Sequence, residues 1–421
     1  MRGEHLGVRH ASHATDGGDL SRTTRWCQHV SVAESSQQSS PRKGLVPCLL
    51  RDLRLLTSGL LLSGFVISAT WRVVTASRRD DPWNTGDWLI DYSSGFVRRG
   101  LFGSLIGLFS WSPASATTMI VGTQLALILF VTTFVIANVM RAPASMAIVA
   151  VALSPSFLLF GVLEPEAAFR KEWLGLASLT ALLIAVEPRA TRRRRQIALT
   201  GSMALFALGA LSHEATVVLL AAFLWVLARS NWPRRERLRF FAAFASFSLV
   251  AALLAALFRG SEELSVELCR SLIDRGFDPV VCTGAIDWLG RTTGSPLSSG
   301  DYLFGLRLPL LLPVAIFASA PLALFNWTRM QVLAFLSISS AIVVPLGLVS
   351  VDHGRWLWLA ATTCTLIALP KIRRSEVTRF DIPTLVAVTL ALSWTFGHTQ
   401  VELSEIPAVN QFVKTVSEIV G

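Results

Sequence analysis

Between Asp80 and Gly100 the chain gathers Asp80, Asp81, Asp87 and Asp91, the two indoles Trp83 and Trp88, and then the run Gly95-Phe96-Val97-Arg98-Arg99-Gly100. A carboxylate within reach of a hydroxyl can act as its general base, so Asp81, Asp87 and Asp91 are candidate catalytic groups. Paired guanidinium groups suit a phosphate through bidentate hydrogen bonds. Arg98 and Arg99 also stand where an apolar helix begins, and its free backbone donors and positive dipole end favour the same anion. The plainer alternatives are solvated or capping carboxylates and arginines that touch only lipid headgroups. Trp83 and Trp88 read as residues of an interfacial aromatic belt, with sugar stacking a secondary use.

Three other polar groups interrupt apolar sequence. Glu164–Glu172 contains Arg170 and Lys171, which add phosphate-binding candidates. His213-Glu214 could move a proton or form a buried packing pair. Asp352-His353-Gly354-Arg355-Trp356 offers His353 and Arg355 for a pyrophosphate, although Arg355 could equally pair with Asp352. The carboxylates could hold a divalent cation bridging a phosphate. No spacing of Cys, His or acidic residues specifies a metal, so no metal ligand and no certain cofactor is assigned. Cys269 and Cys282 lie close together in one polar stretch, either bonded in an oxidising compartment or as two free thiols. Cys364 lies inside an apolar span and reads as a small filler.

What must position these groups is set by composition. Hydrophobic residues are 52% of the 421 and charged residues 16%, with a mean hydropathy of +0.53. That deficit of charge, with repeated apolar runs of roughly 20 residues, predicts an all-α, polytopic helical membrane protein. The net charge of +10 does not point to nucleic acid. Much of the Arg excess sits in short clusters between spans, such as Arg192–Arg195, the pattern of cytoplasmic loops.

The expected organisation is a disordered cytoplasmic tail over 1–50, a transmembrane domain over 51–400 and an amphipathic tail over 401–421 on the far side. His5, His10 and His13 fall in the first tail and read as solvated rather than as a metal tract. The first span is expected near Leu55–Ala76, with an interfacial helix over Leu101–Trp111. Further spans fall near Thr117–Met140, Ala144–Leu163, Trp173–Val186, Phe240–Phe258, Leu306–Phe325, Val332–Ser350, Trp356–Leu369 and Ile382–Phe396. The run Ile197–Ala228 would reach ~48 Å as one helix, too far for a ~30 Å core, and basic clusters flank both ends. It is therefore expected to form a hairpin with His213-Glu214 at its tip. The count is eleven crossings, with the N-terminus cytoplasmic, the C-terminus outside and the protein integral to the plasma (inner) membrane. Outer loops are then about 77–116, 164–172, 259–305 and 351–355, so every polar group named above falls on one face.

A large first outer loop bearing Asp, an interfacial helix and about eleven spans with outward polar residues resemble membrane glycosyltransferases of the GT-C type. Gly95–Gly100, His213-Glu214 and Asp352–Trp356 are also similar to O-antigen polymerase-like proteins of bacterial surface-polysaccharide assembly. The resemblance covers about Leu55 to Phe396. It implies a polyprenyl-(pyro)phosphate-linked sugar donor, a glycan acceptor, surrounding membrane lipid and a first-loop carboxylate as base, here Asp81 or Asp87. A transporter or flippase of an anionic lipid-linked molecule is the main alternative, and a non-catalytic membrane scaffold is the third.

Overall fold

The computed structural model describes residues 42–78, 81–110, 112–143, 145–258, 260–290, 321–349 and 352–372. Residues 1–41 of the first expected tail, the tail over 401–421, the span near Ile382–Phe396, most of the span near Leu306–Phe325 and Asp80 lie outside them, while 42–50, expected as disordered tail, begin the first helix. Of the unit Met1–Asp52 only the start of the first helix is described, and all else belongs to the unit that begins at Leu53.

Among the described residues every regular element is helical, and the protein is an all-α membrane protein. Its longer helices are α1 (Arg42–Arg78), α2 (Gly100–Phe109), α3 (Pro113–Arg141), α4 (Glu172–Ala185), α5 (Arg192–Ser212), α6 (Leu220–Ala228), α7 (Arg234–Leu257), α8 (Glu262–Asp274), α9 (Arg329–Val349) and α10 (His353–Ile372). Four of them contain stretches long and apolar enough to cross a membrane: Asp52–Arg78, Pro113–Arg141, Arg234–Leu257 and Arg329–Gly347.

Two expected spans take a different form. Ala144–Leu163 is not one helix: Met146–Ala152 ends in the turns Leu153–Leu159, and a single turn, Phe160–Leu163, follows. Pro155 disfavours helical geometry at Ser154 and supplies no amide donor, and the hydroxyls of Ser154 and Ser156 bond each other at 2.8 Å. The broken backbone is buried and held from α10, where Trp358 Nε1 donates to the Phe157 carbonyl at 3.0 Å. The span expected at Trp173–Val186 is α4, whose 14 residues cover about 21 Å, short of a bilayer core. Nearly all of α4 is buried, as is α10, so these two are the central helices around which the others pack.

Small residues let the helices approach, as membrane packing requires. Gly175 of α4 faces Leu219, and Gly209 of α5 faces Thr216 and Leu174. Midway along the same pair, Ser178 Oγ donates to the Ser202 carbonyl at 2.6 Å and Ser202 Oγ to the Ser178 carbonyl at 2.9 Å. Helix α3 starts crisply because Pro113 follows a Ser112/Ser115 capping box.

The run Ile197–Ala228 does turn back. Helix α5 ends at Ser212, and after His213-Glu214 and the turn Ala215–Val218 the chain returns through α6. Arg194 and Arg229, from its two ends, line one cavity together with Arg141 and Lys371. The helix connections therefore form two ends: a basic one around that cavity, and an opposite one that holds the polar groups described next.

At that second end the described part of the expected long loop, residues 260–290, is a compact cap. Helix α8, a 3₁₀ turn at Pro279–Cys282 and the turn Asp287–Gly290 pack together, and a disulfide joins Cys269 to Cys282. The cap lies on the Asp-rich segment. Gly86 and Gly284 make that contact possible, since a Cβ on either would meet the Val281 or Pro82 carbonyl oxygen at 2.5 Å. Helix α2 turns its small face onto the same segment, where a Cβ on Gly103 would strike the Ile90 carbonyl, while Leu108 and Phe109 stay exposed.

Candidate functional site

The first support of the site lies inside α1. Arg72, fully buried, donates from Nε to Gln124 Oε1 at 2.8 Å and from Nη2 to the Asn84 carbonyl and Thr85 Oγ1 at 2.9 Å. Gln124 of α3 in turn donates to the carbonyls of Asn84 and Phe169, each at 2.7 Å. Trp88 Nε1 also donates to the Phe169 carbonyl, at 3.0 Å. One cluster thus pins the segment after α1 and the segment before α4 to the same two helices. Trp88 is accordingly a buried core residue and not part of an interfacial belt. Trp83 is partly exposed and lies under the Arg170 guanidinium, 4.8 Å from its ring centre.

The two pinned segments deliver opposite charges to one place. Lys171 Nζ, fully buried, donates to the Arg99 carbonyl at 3.1 Å and lies 3.9 Å from Asp87 Oδ1. Arg99 adopts left-handed backbone geometry (φ 78°) immediately before α2. That geometry is strained for a residue with a side chain, by about 1–3 kcal/mol. It accompanies an arrangement in which the carbonyl accepts from Lys171 while the guanidinium binds Glu214 with two hydrogen bonds, one of them Nε to Oε2 at 2.7 Å. Arg98 Nη1 lies 3.7 Å from the same carboxylate.

Behind Glu214 the network continues inward. His213 stands between two acids, its Nδ1 3.7 Å from Glu214 Oε2 and its Nε2 3.1 Å from Glu172 Oε1. Glu172 opens α4, where a carboxylate also suits the positive end of the helix dipole. Arg355, from the first turn of α10, approaches the same oxygen with Nε at 3.4 Å and holds Asp352 at 2.7 Å. Each of the two central helices therefore begins with a charged residue of this network.

Burial and charge oppose each other here. Burial disfavours ionisation of Asp87, but Lys171, His213, Arg170 and Arg99 outweigh it and hold the carboxyl below its ordinary range. Burial likewise pushes Lys171 down, and Asp87 only partly restores it, leaving the ammonium at about 8. Among the described residues, Asp87 Oδ1, Glu172 Oε2, Ser212 Oγ and His213 Nδ1 are buried without a hydrogen-bond partner. Buried polar atoms of this kind also occur elsewhere, as at Ser58, Trp232 and Ser248; what sets this end apart is that Asp87, Glu172 and His213 belong to one connected set of charges.

Of the residues singled out by sequence, Asp87, Arg98, Arg99, Arg170, Lys171, His213, Glu214 and Arg355 come together at this end. His353 is buried two residues before Arg355 in α10, against Gly347. Asp81 is engaged locally, accepting from the Trp83 and Asn84 amides and from Asn84 Nδ2. Asp91 accepts from Ser93 and pairs with Arg275 of the cap at 2.9 Å. Sequence places Glu172 in a polar stretch without giving it a role, and it does not single out Arg72 or Gln124. Arg72 and Gln124 carried a readable signal, polar groups inside apolar spans. Among the described residues no three of His, Cys, Asp and Glu converge as metal ligands.

Arg98, Arg99 and Glu214 keep 19%, 21% and 27% of their side chains exposed, and at the far end of the network Asp352 keeps 17%. The first three border a cleft of about 20 Å³ with Tyr92 and Phe96, room for one water rather than a sugar. Tyr92 stacks on Phe96, and Phe96 packs on Phe258.

Residues 59–286, more than half of the chain, match the model of a family described as "Uncharacterised membrane protein Rv1490", and the chain belongs to that family. The match takes in the network from Arg72 to Glu214 and the cap through its disulfide, and stops before the turn Asp287–Gly290 and Arg355. No curated protein and no solved structure matches it.

Proposed function

We propose that this member of the Rv1490 membrane-protein family is a glycosyltransferase or glycan polymerase that takes its sugar from a polyprenyl-phosphate or polyprenyl-pyrophosphate carrier. The observation that carries this reading is the partly exposed triad of Arg98, Arg99 and Glu214, backed by the buried His213, Glu172 and Arg355. Two guanidinium groups beside one carboxylate supply both needs of such a transfer, a grip on the leaving phosphate and a proton acceptor for the attacking hydroxyl. The acceptor oxygen would bond to the anomeric carbon as that carbon's bond to the phosphate oxygen breaks. The electron pair leaves on the phosphate and the hydroxyl proton passes to Glu214.

Arg99 is bound to Glu214 in the structure. A substrate phosphate would compete for that guanidinium and release the carboxylate, making it a better base only when donor is present. Lys171 and Asp87 brace the Arg99 backbone, while His213 links Glu214 to Glu172. The weight therefore moves from the first-loop carboxylates to Glu214. Asp87 is second, because Asp81 and Asp91 are committed to amides and to Arg275. The Lys/Arg bias of the other end supports placing this site on the outer face of the plasma membrane, with the N-terminus inside. The tight cleft implies that the segment Tyr92–Arg99 moves to admit a sugar.

A second reading, a flippase or transporter, is favoured by one specific observation. Helical geometry breaks at Leu153–Leu159 and at His213-Glu214, and discontinuous helices with buried charge are features of transport sites. Vesicles containing the full chain and a lipid-linked sugar separate the two. Transferase activity should fall about 10²–10⁴-fold in Glu214→Gln and comparably in Arg99→Ala, with the protein still folded. Movement of donor across the bilayer without covalent change would favour the flippase. Undiminished transfer in both variants would remove this site assignment.

A further inference from the structure

At the basic end two spaces adjoin. One is a cavity of about 600 Å³ whose described lining includes the cations Arg141, Arg194, Arg229 and Lys371 and, among carboxylates, Glu187. The other is an open groove of about 920 Å³ between α3, α4 and α5, apolar except near Arg193 and Arg194. Phe130, Ile184 and Arg194 line both, so they form one continuous depression, cationic at one side and greasy at the other. The groove is built into the helices. A Cβ added to Gly122 of α3 or Gly201 of α5 would meet no atom within 4 Å, whereas Gly175 and Gly209 nearer the network are tightly packed. The cationic side is also partly organised. Lys371 Nζ donates to Gln331 Oε1 at 2.6 Å and to the Asn326 carbonyl at 3.1 Å, and lies over Trp327. Glu187 reaches Arg194 only at 3.8 Å.

We infer that this depression is a binding site for a two-chain anionic phospholipid, with the phosphate among Arg141, Arg194, Arg229 and Lys371 and an acyl chain along the groove past Gly122 and Gly201. Basic pockets between membrane helices select anionic headgroups in this way. The adjoining groove argues for a lipid rather than a soluble anion, because a free phosphate has no use for it. The site lies at the opposite end from the proposed transfer chemistry and does not depend on it.

The test uses the full chain in neutral detergent, with bound lipid read by native mass spectrometry after exposure to equal phosphatidylglycerol and phosphatidylcholine. The wild type should retain phosphatidylglycerol in preference by about tenfold or more, and the Arg194→Ala/Arg229→Ala double variant should lose that preference. Gly201→Leu should lose retention of the lipid while its melting temperature without lipid stays unchanged. If Gly201→Leu does not fold, the double variant, altered at exposed positions, still decides. Equal retention of the two lipids, or unchanged selectivity in the double variant, would reduce the depression to ordinary lipid-facing surface. Binding of glycerol phosphate as tight as that of the lipid, and indifferent to Gly201→Leu, would also overturn the proposal.

Discussion

The two ends of the helix bundle are built from the same residue types and treat them in opposite ways. At the network end Lys171, Glu172 and Arg355 are at most 8% exposed, and ion pairs joined by the Lys171 hydrogen bond to the Arg99 carbonyl run from Asp87 through Glu214 and Glu172 to Asp352. At the basic end Arg194 is 51% exposed and its partner Glu187 stands 3.8 Å away. A charge left in water costs little and contributes little, so arginines there can serve as topological labels and headgroup contacts. A charge taken out of water is retained only where partners surround it, and removing one partner strands the rest. Burial, rather than charge content, separates the end that orients the chain from the end fit for chemistry.

The largest effect expected of this contrast is on stability. Glu172→Ala leaves His213 and Arg355 facing each other without their shared carboxylate, and should cost about 3–5 kcal/mol. Thermal unfolding in detergent reads this as a large drop in melting temperature, and a drop no greater than that of an exposed-site variant would break the comparison.

Lys171 provides a sharper test through pH. Its folded value, about 8, lies below the ordinary 10.5 of a free lysine. Between those values the unfolded chain binds a proton that the folded chain does not, so this group makes stability rise with pH there. Activity that depends on the ammonium should do the reverse and fall as pH passes about 8. A transfer rate with an alkaline limb near that pH, absent from the residual activity of Lys171→Met, would place the cation in the working site. A profile identical in the two proteins would take it out.

The smallest effect belongs to the basic end. Arg194→Gln removes the 51%-exposed side of a 3.8 Å pair and should change stability by less than about 1 kcal/mol. A loss as large as that of Glu172→Ala would mean that burial is not what distinguishes the two ends.

Much of this was legible in the chain. Apolar runs separated by Arg clusters predicted an all-α membrane protein, and the length of Ile197–Ala228 between two basic flanks predicted the turn at His213-Glu214. The gathering of Arg98, Arg99, Lys171, His213, Glu214 and Arg355 at one end could be read because alternating crossings send every second connection to the same side. The spans near Ala144–Leu163 and Trp173–Val186 were harder, since hydropathy measures burial without saying whether lipid or protein does the burying. Helix α4, covered almost entirely by other helices, therefore reads in sequence like a lipid-facing span, and Trp88 looks like a belt residue until Phe169 is beside it.

What the sequence by itself determined was the solvent each segment must enter, because transfer free energy is a property of the segment. It could not decide which acid meets which base. Asp81, Asp87 and Asp91 are alike in type and lie within eleven residues of one another. Only the packed structure commits Asp81 to neighbouring amides, Asp91 to Arg275 and Asp87 to Lys171. It likewise makes Glu172, one of three acids between Glu164 and Glu172, the centre of the network. Electrostatic pairing depends on distance and burial, and both are set by contacts between residues tens to hundreds of positions apart.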